Sequence, residues 1–197
     1  YEVTPEALKD YDLLDAYIAG SFAWGQIITT GEYYMGPYNV PIHDIETVFD
    51  PQVIPAAGYL NENTEYIKDL IALRKLSRKY LTYGRMLRPL DVPEVTIIAD
   101  GGVIYQGATA VNVDFENVVP EVWSTVWRAQ DGDTALVFAN YNATDETVSF
   151  DMDFSDYGLS GTYDLRDVQT GLIVGTLSDG DNDIFVPAKS ALVLELV

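Results

Sequence analysis

The spacing of the hydrophobic residues changes near residue 89. Before that point, the clearest pattern lies in residues 62–88, where apolar side chains recur every three or four positions, as on one face of an α-helix. These residues are Ile67, Leu70, Ile71, Leu73, Leu76, Tyr80, Tyr83 and Leu87. The pattern predicts one long helix that begins near Asn61 or Asn63, ends in lysines and arginines, and is stopped by Pro89.

Another helix is predicted near the start of the chain. Thr4-Pro5-Glu6 has the composition of a helix N-terminus, and the residues that follow place Leu8, Tyr11, Leu14, Ile18 and Phe22 on one face. We expect this helix to run to about Ala19. Residues 29–61 are interrupted every few positions by glycine or proline, which predicts a long ordered loop.

Beyond Pro93 the apolar residues alternate with a period of two, which is typical of β-strands. The predicted strands are Val95 to Ala99, Ala110 to Phe115, Val122 to Ala129, Thr134 to Asn140, Thr147 to Phe154, Gly161 to Asp167, Ile173 to Leu177, Asp183 to Val186 and Ala191 to Leu196. Hairpin turns are predicted at 131–133, 140–146 and 179–182.

These patterns together predict an α+β fold in two parts. Residues 1–90 form a helical segment with a long ordered loop, and residues 91–197 form an antiparallel Greek-key β-sandwich. The boundary is placed in the proline-containing stretch between Arg88 and Val95.

Charge excludes some classes of partner. The chain of 197 residues has 31 acidic and 11 basic residues, a net charge of −20, so we expect it to bind neither nucleic acid nor an anionic membrane surface. No apolar run reaches the ~18 residues of a membrane span, and the absence of cysteine removes disulfides and thiolate chemistry. The chain starts at Tyr1, as expected of a processed product or a piece of a longer protein.

Seven of the 11 basic residues lie between positions 68 and 88. We interpret them as counter-charges that dock this helix on an acidic remainder, with Arg74 and Arg78 as examples. An anion-binding groove is the alternative.

The candidate binding residues are aromatic. Trp24, Tyr33, Tyr34 and Tyr38 lie in or beside the Gly/Pro-rich loop, together with the single histidine, His43, and could stack against sugar rings. The alternative is that the tyrosines are buried and anchor the loop. Trp123 and Trp127 lie four positions apart in a predicted strand, hence on one face, where they either pack in the core or form a stacking platform.

Other motifs carry less weight. Residues 179–183 (DGDND) resemble part of a calcium loop, but they lack the bidentate glutamate and fit a hairpin turn better. Asn142-Ala143-Thr144 matches the N-glycosylation pattern. His43-Asp44 has no nucleophile nearby. The sequence therefore nominates no catalytic residue, no metal site and no cofactor.

Three blocks of the strand-rich half carry a resemblance to a known family. They are ALVFANYNATDETVSF (135–150), YDLRDVQTG (163–171) and VPAKSALVLEL (186–196), preceded by the helix EYIKDLIALRKLSRKYLTYGRML and a proline. This order resembles the C-terminal end of barrel-type glycoside hydrolases of the α-galactosidase-like and α-amylase-like clans and related uncharacterised bacterial families. In these enzymes the last helices of a (β/α)8 barrel lead into an antiparallel sandwich.

The resemblance implies that residues 1–88 are the last barrel segments, with FAWGQIITTGEYYM near the eighth strand. It implies a C-terminal fragment that is inactive alone, partnered by a missing N-terminal barrel portion and reaching carbohydrate through its parent enzyme. The expected location is secreted, periplasmic or at the cell surface. The alternatives are a non-catalytic carbohydrate-binding module and a cell-surface adhesion or scaffold domain.

Overall fold

A computed structural model of the chain describes residues 11–26, 58–106 and 109–197. Their helices are α1 (Tyr11–Ala23), α2 (Gly58–Leu76), α3 (Arg78–Leu81) and α4 (Phe154–Tyr157). Their strands are β1 (Arg85–Met86), β2 (Glu94–Gln106), β3 (Thr109–Pro120), β4 (Trp123–Arg128), β5 (Thr134–Asn140), β6 (Glu146–Met152), β7 (Thr162–Asp167), β8 (Ile173–Ser178), β9 (Gly180–Val186) and β10 (Ser190–Leu196). The helix predicted from Thr4 begins outside these ranges, as does the predicted loop over most of its length.

The strands form three antiparallel sheets. The largest has the order β1-β4-β5-β10-β7-β8, so the last strand lies between two strands that precede it in the chain. β6 pairs with β9 and β2 pairs with β3 in two separate two-stranded sheets. The predicted class, a helical segment followed by an antiparallel β-sandwich, is confirmed.

The main sheet is covered on both faces. One face packs against α1 and α2, and its residues include Ala135, Val137 and Ala139 of β5. The other face packs against the β6–β9 sheet and includes Leu136 and Phe138. Successive residues of a strand point to opposite faces, so every residue of β5 is buried. Full burial of a side chain such as Phe138 stabilises the fold by about 2 kcal/mol.

The predicted long helix is shorter than its apolar spacing indicated. It ends at Leu76, and after the buried Ser77 only the single turn α3 follows. At Gly84 a Cβ atom would lie 2.5 Å from the carbonyl oxygen of Tyr80 and 2.9 Å from that of Arg128. The chain turns here so that β1 can pair with β4, and this tertiary contact overrides the helical pattern of residues 82–88.

Two of the three predicted hairpins are wrong. Residues 131–133 do join the paired strands β4 and β5. The predicted turns at 140–146 and 179–182 instead lie where the chain passes from the main sheet to the β6–β9 sheet, because β6 does not pair with β5 and β9 does not pair with β8. In the second of them only residue 179 lies outside a strand. Turn residues indicate where the chain reverses direction. They do not indicate which sheet the next strand joins, because that depends on strands far away in the sequence. Phe154, predicted to end a strand, begins α4, which Asp153 caps by accepting from the Ser155 amide.

Within the described residues, no helix is both long and apolar enough to cross a membrane. The predicted division between residues 90 and 91 stays a prediction.

Candidate functional site

Trp24 is the one predicted carbohydrate-binding residue that lies in the described part of the chain. It follows α1, whose end is closed by Gly25 at φ 66°, by a hydrogen bond from the Gly25 amide to the Phe22 carbonyl and by one from the Gln26 amide to the Ser21 carbonyl. This is the geometry of a Schellman cap. The indole is 46% exposed.

Trp24 contacts a second tryptophan. Its ring centroid lies 5.2 Å from that of Trp123, with an angle of 86° between the ring planes. The Trp123 ring lies against Gly20 of α1, where a Cβ atom would come within 2.9 Å of the indole. One edge of this aromatic pair therefore packs in the protein, while part of Trp24 faces solvent.

Trp127 holds the end of α1 on the main sheet. Its Nε1 donates to the carbonyl oxygen of Ala23 at 3.0 Å, and the hydroxyl of Thr125 donates to the same oxygen at 2.7 Å. Arg74 of α2 donates from Nη2 to the Gly25 carbonyl at 3.0 Å. Trp123, Thr125 and Trp127 thus share the helix-facing side of β4. The packing interpretation of Trp123 and Trp127 is confirmed.

The other predicted carbohydrate-binding residues are Tyr33, Tyr34, Tyr38 and His43. All four lie outside the described residues. The carbohydrate-binding site therefore stays a prediction that rests on Trp24 and its exposed indole.

A polar cluster joins α3 to the main sheet. Glu195 of β10 is 8% exposed and accepts from Lys79 Nζ at 3.2 Å, from the Tyr80 hydroxyl, and from Arg166 Nε at 3.1 Å and Nη2. Lys79 also pairs with Asp133 and, at 3.3 Å, with Asp131 of the β4–β5 hairpin. We call these six residues the Glu195 cluster.

The electrostatics of the Glu195 cluster hold its carboxylate ionised. Burial alone would raise the pKa of Glu195, but the hydrogen bonds from Arg166, Tyr80 and Lys79 outweigh burial and lower the pKa to about 2. Burial and the neighbouring carboxylate raise the pKa of Tyr80. A carboxylate that is ionised and shared by three donors is a poor proton donor, so Glu195 does not suit the general-acid role of glycoside hydrolysis.

Some basic residues between positions 68 and 88 do pair with carboxylates, as expected, but in the described part of the chain Arg74 and Arg78, the two named as examples, are not among them. Lys79 pairs with the Glu195 cluster and Arg88 pairs with Asp156 at 2.8 Å. Arg74 instead caps α1, and among the described residues Arg78 donates to the Lys75 carbonyl at 3.2 Å. The sequence offered one signal for Glu195, a single charge in the apolar strand SALVLEL, and the prediction missed it.

Two further motifs have structural roles. The Asn142 amide, in the glycosylation pattern, donates from Nδ2 to the Glu121 carbonyl at 3.0 Å. In the DGDND stretch, Asp179 accepts from the Phe154 amide and Asn182 donates to the Ser178 carbonyl. Over the described ranges, no group of three or more acidic or histidine side chains is arranged to hold a metal ion.

Comparison with known proteins finds a family match for part of the chain. The model of the family described as the alpha galactosidase C-terminal beta sandwich domain matches residues 119–196. No curated protein matches the chain significantly.

Several solved structures are similar to the chain. One is a noncanonic maltogenic alpha-amylase, AmyB, from Thermotoga neapolitana, with 18% identity over 98% of this chain and 37% of that one and a TM-score of 0.43. Another is a GH27 β-L-arabinopyranosidase from Geobacillus stearothermophilus, with 11% identity over 95% and 42% and a TM-score of 0.42. Alpha-galactosidase I from Mortierella vinacea has 15% identity over 39% and 21% and a TM-score of 0.32.

The matched region spans less than half of each of these three chains, and all three TM-scores are below 0.5. The family match is a separate finding, and its residues include all strands from β4 to β10. It confirms the resemblance that the sequence blocks indicated. Residues 119–196 therefore match the alpha galactosidase C-terminal beta sandwich domain, a domain of glycoside hydrolases.

Proposed function

We propose that this chain is the C-terminal portion of a carbohydrate-active enzyme of the glycoside hydrolase type, in which it serves as an accessory, non-catalytic unit. The observation that carries the proposal is the family match over residues 119–196. On this proposal the catalytic carboxylates lie in a barrel that precedes the chain, and the segment before residue 90 supplies the last barrel helices.

The contacts of the described helices support a structural role. α1 and α2 bury their apolar residues against the helix-facing side of the main sheet, where Phe22, Leu70 and Leu73 join the cluster that contains Val137 and Val193. The end of α1 is tied to β4, and α3 is tied to β10 through the Glu195 cluster. Helices and sheet thus share one core, which would let the sandwich brace the end of a barrel against unfolding.

Activity of the longer parent protein tests the proposal. The parent should hydrolyse at least one glycoside in a panel that includes α-galactosides, α-glucosides and β-L-arabinopyranosides, and the 197-residue chain alone should hydrolyse none. Disrupting the Glu195 cluster in the parent with Glu195→Gln should lower the melting temperature and leave kcat within about twofold. A parent that is inactive on the whole panel would count against a glycoside hydrolase, and a large loss of kcat without a loss of stability would count against an accessory role.

A non-catalytic carbohydrate-binding module is the second candidate, because Trp24 presents a partly exposed indole braced by Trp123. Flat apolar faces of pyranose rings stack on such rings. If this candidate is correct, the isolated chain binds a neutral glycan on an array and Trp24→Ala weakens that binding at least about tenfold. Val118→Ala, which trims another exposed apolar side chain, is the matched control. An array without signal eliminates this candidate and leaves the first intact.

Location outside the cytoplasm is part of the same proposal. It is the usual setting of enzymes that act on polymeric glycans, and it rests on the proposed activity alone.

A further inference from the structure

Charge is separated along this chain. Residues 68–88 contain seven basic residues and one acidic residue, a net charge of +6, whereas the remaining residues contain four basic and 30 acidic residues, a net charge of −26. Lys79 and Arg88 are neutralised by neighbouring carboxylates. Over the described ranges no ion pair is formed by Lys75 or Arg78. Within those ranges the positive charge of these two side chains is left without a counter-charge.

These two cations lie beside exposed apolar side chains. Arg78 donates from Nε to the Lys75 carbonyl, and the Tyr83 amide donates to the Arg78 carbonyl at 3.0 Å, so these residues lie together where α2 ends and α3 begins. Leu76 is 59% exposed and Tyr83 is 61% exposed. We call Lys75, Leu76, Arg78 and Tyr83 the basic patch. Large exposed apolar side chains ringed by charge are typical of docking surfaces.

A complementary surface lies on the β6–β9 sheet. Its inner residues pack on the main sheet, whereas Asp151, Asp181 and Asp183 are exposed on its outer face. Asp151 and Asp181 are direct cross-strand partners, an arrangement of like charges that destabilises a sheet unless a cation or a basic surface approaches. Phe185, on the same face, is 58% exposed. We call these four residues the acidic face.

The layer order keeps the two surfaces apart within one molecule. The basic patch belongs to the helical layer, which covers one side of the main sheet, and the acidic face is the outer side of the layer that covers the opposite side. A molecule therefore cannot neutralise its own patch with its own face. Two molecules can do so, because the patch of one copy can meet the face of the other.

We propose that the basic patch of one copy of this chain docks on the acidic face of a second copy. Such a contact is heterologous, so it joins molecules head to tail and leaves one free patch and one free face at the ends. The ion pairs fix which surfaces meet, and Leu76, Tyr83 and Phe185 supply the apolar contact. The overall charge of −20 opposes association, so the complex is weak and reversible.

Sedimentation velocity of the full chain over a range of concentrations, at about 150 mM salt, tests this proposal. The weight-average sedimentation coefficient should rise with concentration. It should rise much less for Lys75→Glu/Arg78→Glu, which reverses the patch, and for Asp181→Lys/Asp183→Lys, which reverses the face. In both variants we expect the association to weaken by about tenfold or more. Glu116→Lys/Asp164→Lys makes the same change in net charge as the face reversal, at other positions, and should associate at least as well as the unmodified chain.

Mixing one neutralised variant of each surface gives the sharpest result. Lys75→Gln/Arg78→Gln keeps an intact face, and Asp181→Asn/Asp183→Asn keeps an intact patch, so together they should form a complex that stops at one copy of each. The charge-reversed variants do not suit this mixture, because an acidic patch and a basic face attract each other. Thermal melting shows whether each variant is folded, and the neutralised variants also replace any reversed variant that is not. A chain that stays monomeric at every concentration overturns the proposal. So does a mixture that forms no complex, or association that the reversals leave unchanged.

Discussion

Replacing Asn140 by alanine should lower the free energy of unfolding by about 3 kcal/mol. The Asn140 side chain is buried at the end of β5, and its Nδ2 shares two N–H groups among the carbonyl oxygens of Thr144, Val186 and Pro187, which lie at 2.9, 3.1 and 3.0 Å. Its Oδ1 accepts from the Asn142 amide at 2.9 Å. One amide therefore fastens the β5–β6 connection to the end of β9, where the chain passes between sheets. Alanine would leave several of these backbone groups buried without partners.

Asn182→Ala is the matched control for Asn140→Ala. The Asn182 side chain also donates to two carbonyl oxygens, those of Ser178 and Gly180, and accepts from the Ser178 amide. Its site is more exposed than that of Asn140, so water can replace the lost bonds and the cost should stay below about 1 kcal/mol. Urea denaturation of both variants measures the difference. Equal losses at the two positions would show that burial is not what makes the Asn140 bonds important.

Replacing Glu195 by glutamine should cost about 2 kcal/mol near neutral pH. The substitution keeps the shape of the side chain and leaves the Tyr80 hydroxyl an acceptor, but it removes the negative charge that pairs with Lys79 and Arg166. The loss is smaller than for a fully buried ion pair because both cations are partly exposed and water screens them. The expected result is a lower melting temperature and a lower urea midpoint.

The same group makes stability depend on pH. The pKa of Glu195 is lowered from 4.5 to about 2 in the folded chain, so its contribution is present above pH 4.5 and is lost as the pH falls towards 2. The difference between the unmodified chain and Glu195→Gln should therefore shrink from about 2 kcal/mol at neutral pH towards zero near pH 2. Urea denaturation at a series of pH values measures it.

Glu146→Gln controls for the general effect of removing one negative charge. Glu146 accepts from the Thr144 hydroxyl on an exposed part of the protein. Its substitution should change stability by less than about 0.5 kcal/mol at any pH. A deficit in Glu195→Gln that persists unchanged at pH 2 would mean that packing at position 195, rather than charge, stabilises the fold.

The strand positions were largely predictable because they depend on local pattern. Thr134 to Asn140 was predicted with the observed bounds of β5, and its unbroken apolar run indicates a strand covered on both faces. The Asp131-Gly132-Asp133 turn was predictable for the same reason, since Gly132 adopts φ 100°, which glycine reaches without strain. The pairing of β10 between β5 and β7 was not predictable, because it joins residues far apart in the chain.

The candidate site was harder to predict from the sequence than the strand positions were. Aromatic residues in a Gly/Pro-rich loop can be recognised as possible sugar contacts, and Trp24 does expose its ring. The sequence could not show that Trp24 meets Trp123, about a hundred positions away. It also could not show which of seven neighbouring basic residues are neutralised. That depends on whether a carboxylate from β10 or a hairpin lies within reach of each side chain, as it does for Lys79 but not for Arg78.

The sequence by itself determined the order of helical segment and sandwich, the location of most strands and the resemblance to the C-terminal end of glycoside hydrolases. Each of these rests on residues close together in the chain, whose spacing fixes the local backbone. The tertiary structure alone decided where the long helix ends, which sheet each strand joins, and how Glu195 and Asn140 hold the layers together. In those cases the deciding contact comes from another part of the chain, as when the approach of Gly84 to the end of β4 stops a helix that its own apolar spacing would continue.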